Sequence, residues 1–184
     1  SRRRLVSLSI QPKDQQQELN VEKPTFEDIS LSPATEADFD FIYDLKCEEN
    51  SIYWGGFAAQ PDYENLKLHY ARSMADSSKI TLIIRWKENR VGIISFRIID
   101  DTNCIDHSTN VSHKFSGLGI GALALRKNID YLIQHFPSCE KIIAWIREDN
   151  PRSHKMIRTC GFVETDTCEE RHLDSDRKPV ILRT

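Results

Sequence analysis

The apolar residues of the chain follow helix spacing in some stretches and strand spacing in others. One helical stripe near the middle of the chain has polar residues such as Arg126, Lys127 and Asp130 on its other face. The stripe consists of Ala122, Leu125, Ile129, Leu132, Ile133 and Phe136. Residues three and four positions apart share one face of a helix, so this pattern predicts an amphipathic helix packed on a core.

The same patterns predict strands mixed with helices over the rest of the chain. Thr35 is the expected cap of a first helix, and a second helix begins at Pro61 and runs to about Ala75. The expected strands are Leu5–Ile10, Ile29–Leu31, a hairpin of Ile80–Trp86 and Val91–Ile99, Ile105–Ser112, Lys141–Arg147, and a last hairpin of Phe162–His172 and Pro179–Leu182. Strands mixed with helices on both faces predict an α/β (α+β) fold with a mixed sheet.

A glycine-rich turn joins the strand that ends near Ser112 to the amphipathic helix. Glycines alternate there at Gly117, Gly119 and Gly121. A strand, a glycine turn and a helix start in series are typical of an anion site, because the first amide hydrogens of a helix are free and glycine lets a phosphate approach. The alternative is a turn that only connects two elements. A dinucleotide turn, G-x-G-x-x-A, is disfavoured because strands precede it and too little chain follows.

The glycine turn resembles the pyrophosphate loop Q/R-x-x-G-x-G/A of the GNAT acetyltransferases. The matching residues are Ser116-Gly117-Leu118-Gly119-Ile120-Gly121, with Ser116 in place of the usual Gln or Arg and Lys114 nearby. A second motif follows, in which a strand, Asn150, Ser153 and a helix ending at Gly161-Phe162 resemble the family's N-x-x-S/A pattern before G-F. Two motifs in the right order are more specific than one, and the likeness runs from near Ile29 to the C-terminus.

The resemblance implies a fold, a co-substrate and a set of binding residues. The fold is a mixed, mostly antiparallel sheet of roughly six to seven strands with about four helices, splayed between two parallel central strands. The co-substrate is acetyl-CoA, and no metal is implied. The residues implied to contact acetyl-CoA are Asn110, Val111, Ser116, Gly117, Leu118, Gly119, Ile120, Gly121, Asn150 and Ser153. Asn150 precedes Pro151, so a plain helix cap explains it equally well.

Acetyl transfer to an amine requires a group that removes a proton from the amine and one that returns a proton to the leaving thiolate. Candidate bases are Asp106 and His107 on the strand before the glycine turn, which face opposite ways, and Glu48 after the first helix. Many relatives place a tyrosine acid where this chain has Ile157, on a helix face expected to look toward the thioester. Substitute acids are Cys160, Tyr131 or water.

The acceptor side is expected between the first two helices. Eight acidic residues and a single base, Lys46, lie between Thr35 and Glu64, so the acceptor is expected to be cationic. The stretch Ile52–Phe57 mixes aromatic residues with two glycines and is interpreted as a mobile acceptor loop or as part of the core. The resulting hypothesis is direct acetyl transfer to a primary amine of a small amine, an amino sugar or a protein N-terminus. The alternatives are a CoA-binding module without catalysis and an interaction domain of a longer protein.

Composition and length narrow these possibilities further. The 184 residues suit one domain, which we expect at residues 26–184 behind an arm or linker at residues 1–25 that is polar and rich in glutamine. The chain has an odd number of cysteines and no C-x-x-C, which favours a cytoplasmic protein without a zinc site. No apolar run reaches about 18 residues, so no membrane contact is expected. A net charge of −3 gives no sign of nucleic-acid binding. A homodimer is compatible with the sequence.

Overall fold

The computed structural model of the protein describes residues 22–99, 104–172 and 179–183. The expected strand Leu5–Ile10 and most of the expected arm lie outside the described residues, so the division into arm and domain stays a prediction. The described elements are β1 (Ile29–Pro33), α1 (Phe39–Lys46), α2 (Glu49–Gly55), α3 (Tyr63–Ala75), β2 (Lys79–Trp86), β3 (Asn89–Ile99), β4 (Cys104–Val111), α4 (Ile120–His135), β5 (Lys141–Ile143), β6 (Ile146–Arg147), α5 (Pro151–Thr159), β7 (Cys168–His172) and β8 (Pro179–Arg183).

The strands form two sheets in the described part of the chain. The larger sheet has the order β1-β2-β3-β4-β5, in which only the β4–β5 pair is parallel. The smaller sheet has the order β6-β8-β7 and is antiparallel. This arrangement confirms the predicted mixed, mostly antiparallel α/β fold, with its strands divided between two sheets instead of one.

Helices cover both faces of the larger sheet. On one face, α4 packs Ile120, Ala124 and Leu132 against strand residues such as Ile94. On the other face, α1 and α3 pack Phe39, Ile42, Leu45 and Tyr70 against Ile83 and Ile93. Alternate residues of each strand point to opposite faces, which is why Ile93 and Ile94 belong to different clusters. Each side chain of β4 can therefore be assigned to the α4 face or to the α1–α3 face.

Three predicted segments differ from the structure. The expected strand Phe162–His172 is shorter, because β7 begins at Cys168. The stretch Ile52–Phe57 is not a mobile loop, because most of it forms α2, and the helix ends at Gly56 in the left-handed conformation with φ 76°. Glycine adopts this conformation without strain, so the glycine pair ends a helix here. The expected single strand Lys141–Arg147 is broken, because β5 pairs with β4 whereas β6 pairs with β8 of the other sheet.

None of the helices in the described residues combines the length and the apolar character that a membrane crossing requires.

Candidate active site

The two parallel strands of the larger sheet separate immediately before the glycine turn. Pairing between β4 and β5 covers only Cys104 to Asp106, opposite Lys141 to Ile143. β4 continues to Val111, paired with β3 on one side, while the chain beyond β5 leaves for the smaller sheet. The edge of β4 from His107 to Val111 that faces away from β3 therefore has no strand partner among the described residues. Its backbone amide and carbonyl groups are available to an extended ligand.

β3 and the end of β4 approach each other unusually closely at Gly92. A Cβ atom built on Gly92 would lie 2.3 Å from the backbone oxygen of Asn110 and 2.9 Å from Cα of Val111. Any residue other than glycine would therefore push the end of β4 away from β3. Gly92 helps to set the position of the two backbone units that were predicted to bind acetyl-CoA.

The glycine turn has the geometry of a phosphate cradle. Gly117 and Gly119 have φ angles of 79° and 78°, and α4 begins at the next residue, Ile120. A Cβ atom built on either glycine meets no atom within 4 Å apart from those of the glycine and its chain neighbours, so the backbone there borders open space. The first amide hydrogens of α4 lack helical partners and favour a negative ligand. These residues fit the pyrophosphate of acetyl-CoA, and the predicted Ser116 is exposed beside them.

Glu48 anchors the turn that leads into this cradle. One carboxylate oxygen accepts a hydrogen bond from the Ser112 hydroxyl at 2.6 Å, and the other accepts from the His113 amide at 2.9 Å. The side chain of Glu48 is only 14 % exposed. Its carboxylate thus holds the α1–α2 junction against the end of β4. The structure gives Glu48 a positioning contact, and its role as a base stays a prediction.

Asp106 and His107 lie on opposite faces of β4, as predicted. Asp106 is opposite Arg97 on β3, with 3.7 Å between a guanidinium nitrogen and a carboxylate oxygen, on the α1–α3 face. His107 is opposite Phe96 on the α4 face and is buried, and burial lowers the pKa of His107 to about 4. Its Nε2 lies 2.9 Å from the Thr109 hydroxyl. His107 is therefore neutral near pH 7 and a weak base.

Of the remaining predicted residues, Leu118 precedes α4 and Gly121 lies in its first turn. The others lie at the end of β4 and at the start of α5. The side chain of Asn110 exchanges hydrogen bonds with the Ser51 hydroxyl of α2 at 3.2 and 3.3 Å. Asn150 caps α5, accepting a hydrogen bond from the Ser153 amide at 3.2 Å. The cap interpretation of Asn150 is therefore confirmed, and its contact with acetyl-CoA stays a prediction.

A buried arginine joins α2 to the end of β6. Arg147 donates two hydrogen bonds to Asp149, at 2.8 and 3.0 Å, and a third to the backbone oxygen of Tyr53 at 3.0 Å. Its guanidinium carbon lies 5.1 and 5.2 Å from the ring centres of Tyr53 and Trp54, both largely exposed. These contacts fix two exposed aromatic rings on the α2 side of the site.

Ile157 does not face an open cleft. It is 8 % exposed and packs with Leu125 of α4 and Ile146 of β6. The sequence placed it toward the thioester by analogy with the tyrosine of relatives, whereas an aliphatic side chain gains more by joining the core. The position is therefore structural in this chain.

Three residues of the site were not predicted from the sequence. Ser51 and Ser112 contact Asn110 and Glu48 across 59 and 64 positions of sequence, and no local pattern reveals such pairs. Arg147 had a usable signal, since a charged residue in an otherwise apolar strand, followed two positions later by an aspartate, suggests a paired buried charge.

Solved acetyltransferase structures share this fold at low sequence identity. Spermidine N-acetyltransferase from Vibrio cholerae in complex with CoA and spermine is 18% identical, with a TM-score of 0.75 over 85% of this chain and 94% of that chain. Aminoglycoside acetyltransferase AAC(6')-Ib in complex with coenzyme A is 16% identical, with a TM-score of 0.70 over 85% and 94% of the two chains. A dodecameric structure of the Vibrio cholerae spermidine enzyme is 19% identical, with a TM-score of 0.69 over 85% and 92%. No curated protein is significantly similar in sequence.

The family comparison agrees with the geometry of the site. The model of the acetyltransferase (GNAT) family matches residues 39–162, which is more than half of the chain. The matched region contains the free edge of β4, the glycine turn and α5. The resemblance stated from the sequence is thereby confirmed: the chain belongs to the acetyltransferase (GNAT) family.

Proposed function

We propose that the protein transfers the acetyl group of acetyl-CoA directly to a primary amine of a small molecule, an amino sugar or a protein N-terminus. The observation that carries this proposal is the free edge of β4 leading into the glycine turn. A peptide-like arm lies along such an edge, and a pyrophosphate lies at such a helix start. Acetyl-CoA has both parts in one molecule, and it supplies an acetyl group activated as a thioester.

Different residues of this chain bind different parts of acetyl-CoA. The amides around Gly117, Gly119 and Gly121 hold the pyrophosphate. The backbone of Asn110 and Val111 binds the pantetheine arm along the free edge of β4, and an amide hydrogen there polarises the thioester carbonyl. The Asn150 side chain and Ser153 lie at the start of α5 as further contacts. Glu48 and Gly92 act indirectly, because they hold the backbone at the end of β4 in place.

The acceptor is bound on the α1–α3 face of β4. Asp106 is the predicted base on this face, and we assign it the binding of the incoming amine group beside its ion pair with Arg97. Near pH 7 an alkyl amine of pKa about 10 is mostly protonated, and its small neutral fraction, formed by loss of a proton to hydroxide or buffer in the solvent, is the species that attacks the thioester. Positioning of the neutral amine and polarisation of the carbonyl then provide most of the rate enhancement.

Solvent is also the proposed donor of the proton that the leaving thiolate requires. Ile157 has no proton to give. Tyr131 lies eleven residues beyond the start of α4, about 16 Å along the helix at 1.5 Å per residue. Cys160 is nearer, since its thiol donates to the backbone oxygen of Ala122 at 3.5 Å in the first turns of α4. A thiol that already has a partner is a poor donor, so we assign the role to water.

Binding of CoA without catalysis is the second candidate. The burial of Ile157 at the position of the family's tyrosine is the observation that favours it. Loss of a general acid typically slows a reaction by about 10²–10⁴-fold and does not abolish it, so we expect slow turnover.

The decisive experiment combines binding and turnover. Calorimetric titration measures acetyl-CoA binding, and a thiol-reactive dye measures CoA release with a panel of diamines, amino sugars, amino acids and peptides. Binding with amine-dependent CoA release supports the acetyltransferase. Binding without release on any amine supports the module, and absence of binding contradicts both.

We also propose a cytoplasmic location and a homodimer. The free thiols support the first, because such cysteines are typical of reducing compartments. Support for self-association comes from the related spermidine enzyme, which is described as dodecameric. Sedimentation velocity tests the second proposal, and a monomer at micromolar concentration would contradict it.

A further inference from the structure

A cavity of about 320 Å³ lies between the larger sheet and the helices α1 and α3. Strands β2, β3 and β4 form its floor, and the lining includes Asp106, His107 and Ser108 of β4. The parallel pairing of β4 ends at Asp106, so the cavity adjoins the point where the free edge begins. Ser108 lies two residues from Asn110 on the same face, about 7 Å along the strand. The cavity is therefore next to the expected position of the thioester.

Two rows of polar residues cross the floor of the cavity, beside apolar lining residues such as Ile93. Thr81, Ser95 and Ser108 are directly opposite one another on the three neighbouring strands, so their hydroxyls form one row. A second row, consisting of Lys79, Arg97 and Asp106, lies two residues further along the same face. Hydroxyls in a row on a sheet act as donors or acceptors for a small polar ligand.

Lys46 gives the cavity an unbalanced positive charge. Arg97 is paired with Asp106 at 3.7 Å, and Lys79 is paired with Asp76 at 3.8 Å. Lys46 lines the same cavity from α1, is half-buried, and forms no ion pair with any residue that the structure describes. Burial lowers the pKa of Lys46, with no counter-charge acting against it. A desolvated ammonium without an anion is costly, and an anionic ligand group would remove that cost.

We propose that this cavity binds a carboxylate carried by the acceptor amine, with Lys46 as its counter-charge and the Thr81–Ser95–Ser108 row as hydroxyl donors. The inference rests on the proposed function and specifies its acceptor as an amine that also bears a carboxylate, such as an amino acid. A carboxylate of charge −1 balances the one unpaired ammonium, whereas a phosphate of about −1.5 to −2 would leave excess negative charge. A polyamine would place a second cation beside Lys46 and be repelled.

The test compares acceptors that differ in one group. Omega-amino acids of increasing chain length are each matched with the diamine of the same length, and aminoalkyl phosphates form a third series. We expect kcat/KM for the best amino acid to exceed that for the diamine of the same length by about ten- to a hundredfold. This is the usual gain in affinity from one hydrogen bond to a charged group. Calorimetric titration of the same amino acid onto the CoA-bound protein should give measurable binding.

Variants assign the preference to one residue. Lys46→Met should remove the preference for the amino acid, mainly by raising the KM for the amino acid, and it should abolish the calorimetric signal of amino-acid binding. Lys46→Arg should retain part of the preference and part of the signal. Lys67→Met is the matched control, because Lys67 is an exposed lysine on α3 outside the cavity. Equal kcat/KM values for amino acids and diamines, or higher values for diamines or phosphates, would overturn this inference. Either result would leave the proposed function standing. Absence of turnover with every amine would overturn the proposed function and the acceptor role together.

Discussion

Glu48 accepts a hydrogen bond from the Ser112 hydroxyl at 2.6 Å, across 64 positions of sequence. The bond joins the α1–α2 junction, on the acceptor side, to the turn that precedes the phosphate cradle. The same carboxylate also accepts from the His113 amide at 2.9 Å. One side chain thus ties the two halves of the candidate site together.

The first prediction concerns this anchor. Glu48→Ala leaves the Ser112 hydroxyl and the His113 amide without their partner, which should lower the free energy of unfolding by about 1–3 kcal/mol. The loosened turn should raise KM for acetyl-CoA about tenfold with a smaller change in kcat. Thermal melts and steady-state kinetics measure both effects, with Glu49→Ala as the control because Glu49 is exposed. A fall in kcat of a hundredfold with unchanged stability and KM would instead identify Glu48 as the base.

The second prediction concerns the phosphate cradle. Gly119→Val places a branched side chain in the open space beside the backbone and strains a φ of 78°, so acetyl-CoA binding should weaken severely. Gly161→Val is the matched control, because Gly161 has a φ of 90° and the same open surroundings but ends α5 away from the cradle. Both variants should melt at lower temperature, and only Gly119→Val should lose affinity in a calorimetric titration. Equal affinity in the two variants would remove the pyrophosphate from this turn.

The third prediction concerns Ile157. If position 157 faced the thioester and no substitute acid operated, Ile157→Tyr would raise turnover by supplying the family's acid. The structure predicts a different result, because Ile157 is packed against Leu125 and Ile146 and the larger ring would cost about 1–3 kcal/mol. Ile157→Val, which removes one methyl group, should cost about 0.5–1.5 kcal/mol and serves as the reference. Melting temperature and kcat at saturating acetyl-CoA decide: a stable tyrosine variant with faster turnover would show that the position faces the thioester.

The fourth prediction is a pH dependence of stability. Hydrogen bonds from Arg147 hold the pKa of Asp149 below its ordinary value of 3.8. A lowered pKa in the folded state means that the charged form stabilises the fold. This contribution is complete above the unfolded pKa and is lost as the pH falls through the folded pKa.

Replacement of Asp149 tests this linkage directly. Asp149→Asn should lower the melting temperature at pH 7 and flatten its dependence on pH between about 5 and 3, compared with the wild type. Glu27→Gln is the control, because Glu27 is an exposed acid far from Arg147 in the sequence. Identical slopes for wild type and Asp149→Asn would show that the Arg147–Asp149 pair adds nothing to stability.

The sequence predicted the elements that local patterns determine. The helix α4, the hairpin of β2 and β3, and the glycine turn follow from spacing, and the structure has all three. The predicted apolar stripe of α4 is only partly correct, because its member Ile133 is exposed. The separate helix α2 and the break between β5 and β6 were not predicted. A glycine pair occurs in loops and at the ends of helices, so it does not distinguish the two. Whether a strand pairs within one sheet or the other depends on which strand is nearest in space. Both outcomes are decided by tertiary contacts.

The candidate site was predictable only where the backbone provides the function. Most of the residues predicted to bind acetyl-CoA cluster because strand, turn and helix start are consecutive in sequence. Contacts that side chains make across the fold were not predicted: Glu48 accepts a hydrogen bond from Ser112, and Ile157 packs in the core. The role of Glu48 as a base stays a prediction. The cavity beside Lys46 requires β2, β3, β4, α1 and α3 together, and no stretch of sequence contains it.

The central claim is acetyl transfer from acetyl-CoA to an amine at the free edge of β4. Mass spectrometry of a reaction with acetyl-CoA and each amine of the panel, combined with a thiol assay, measures acetylated amine and free CoA in one sample. We predict that the two products form in equal amounts with the wild-type protein and at a much lower rate with Gly119→Val. CoA release without acetylated amine, or no product with any amine despite bound acetyl-CoA, would contradict the account.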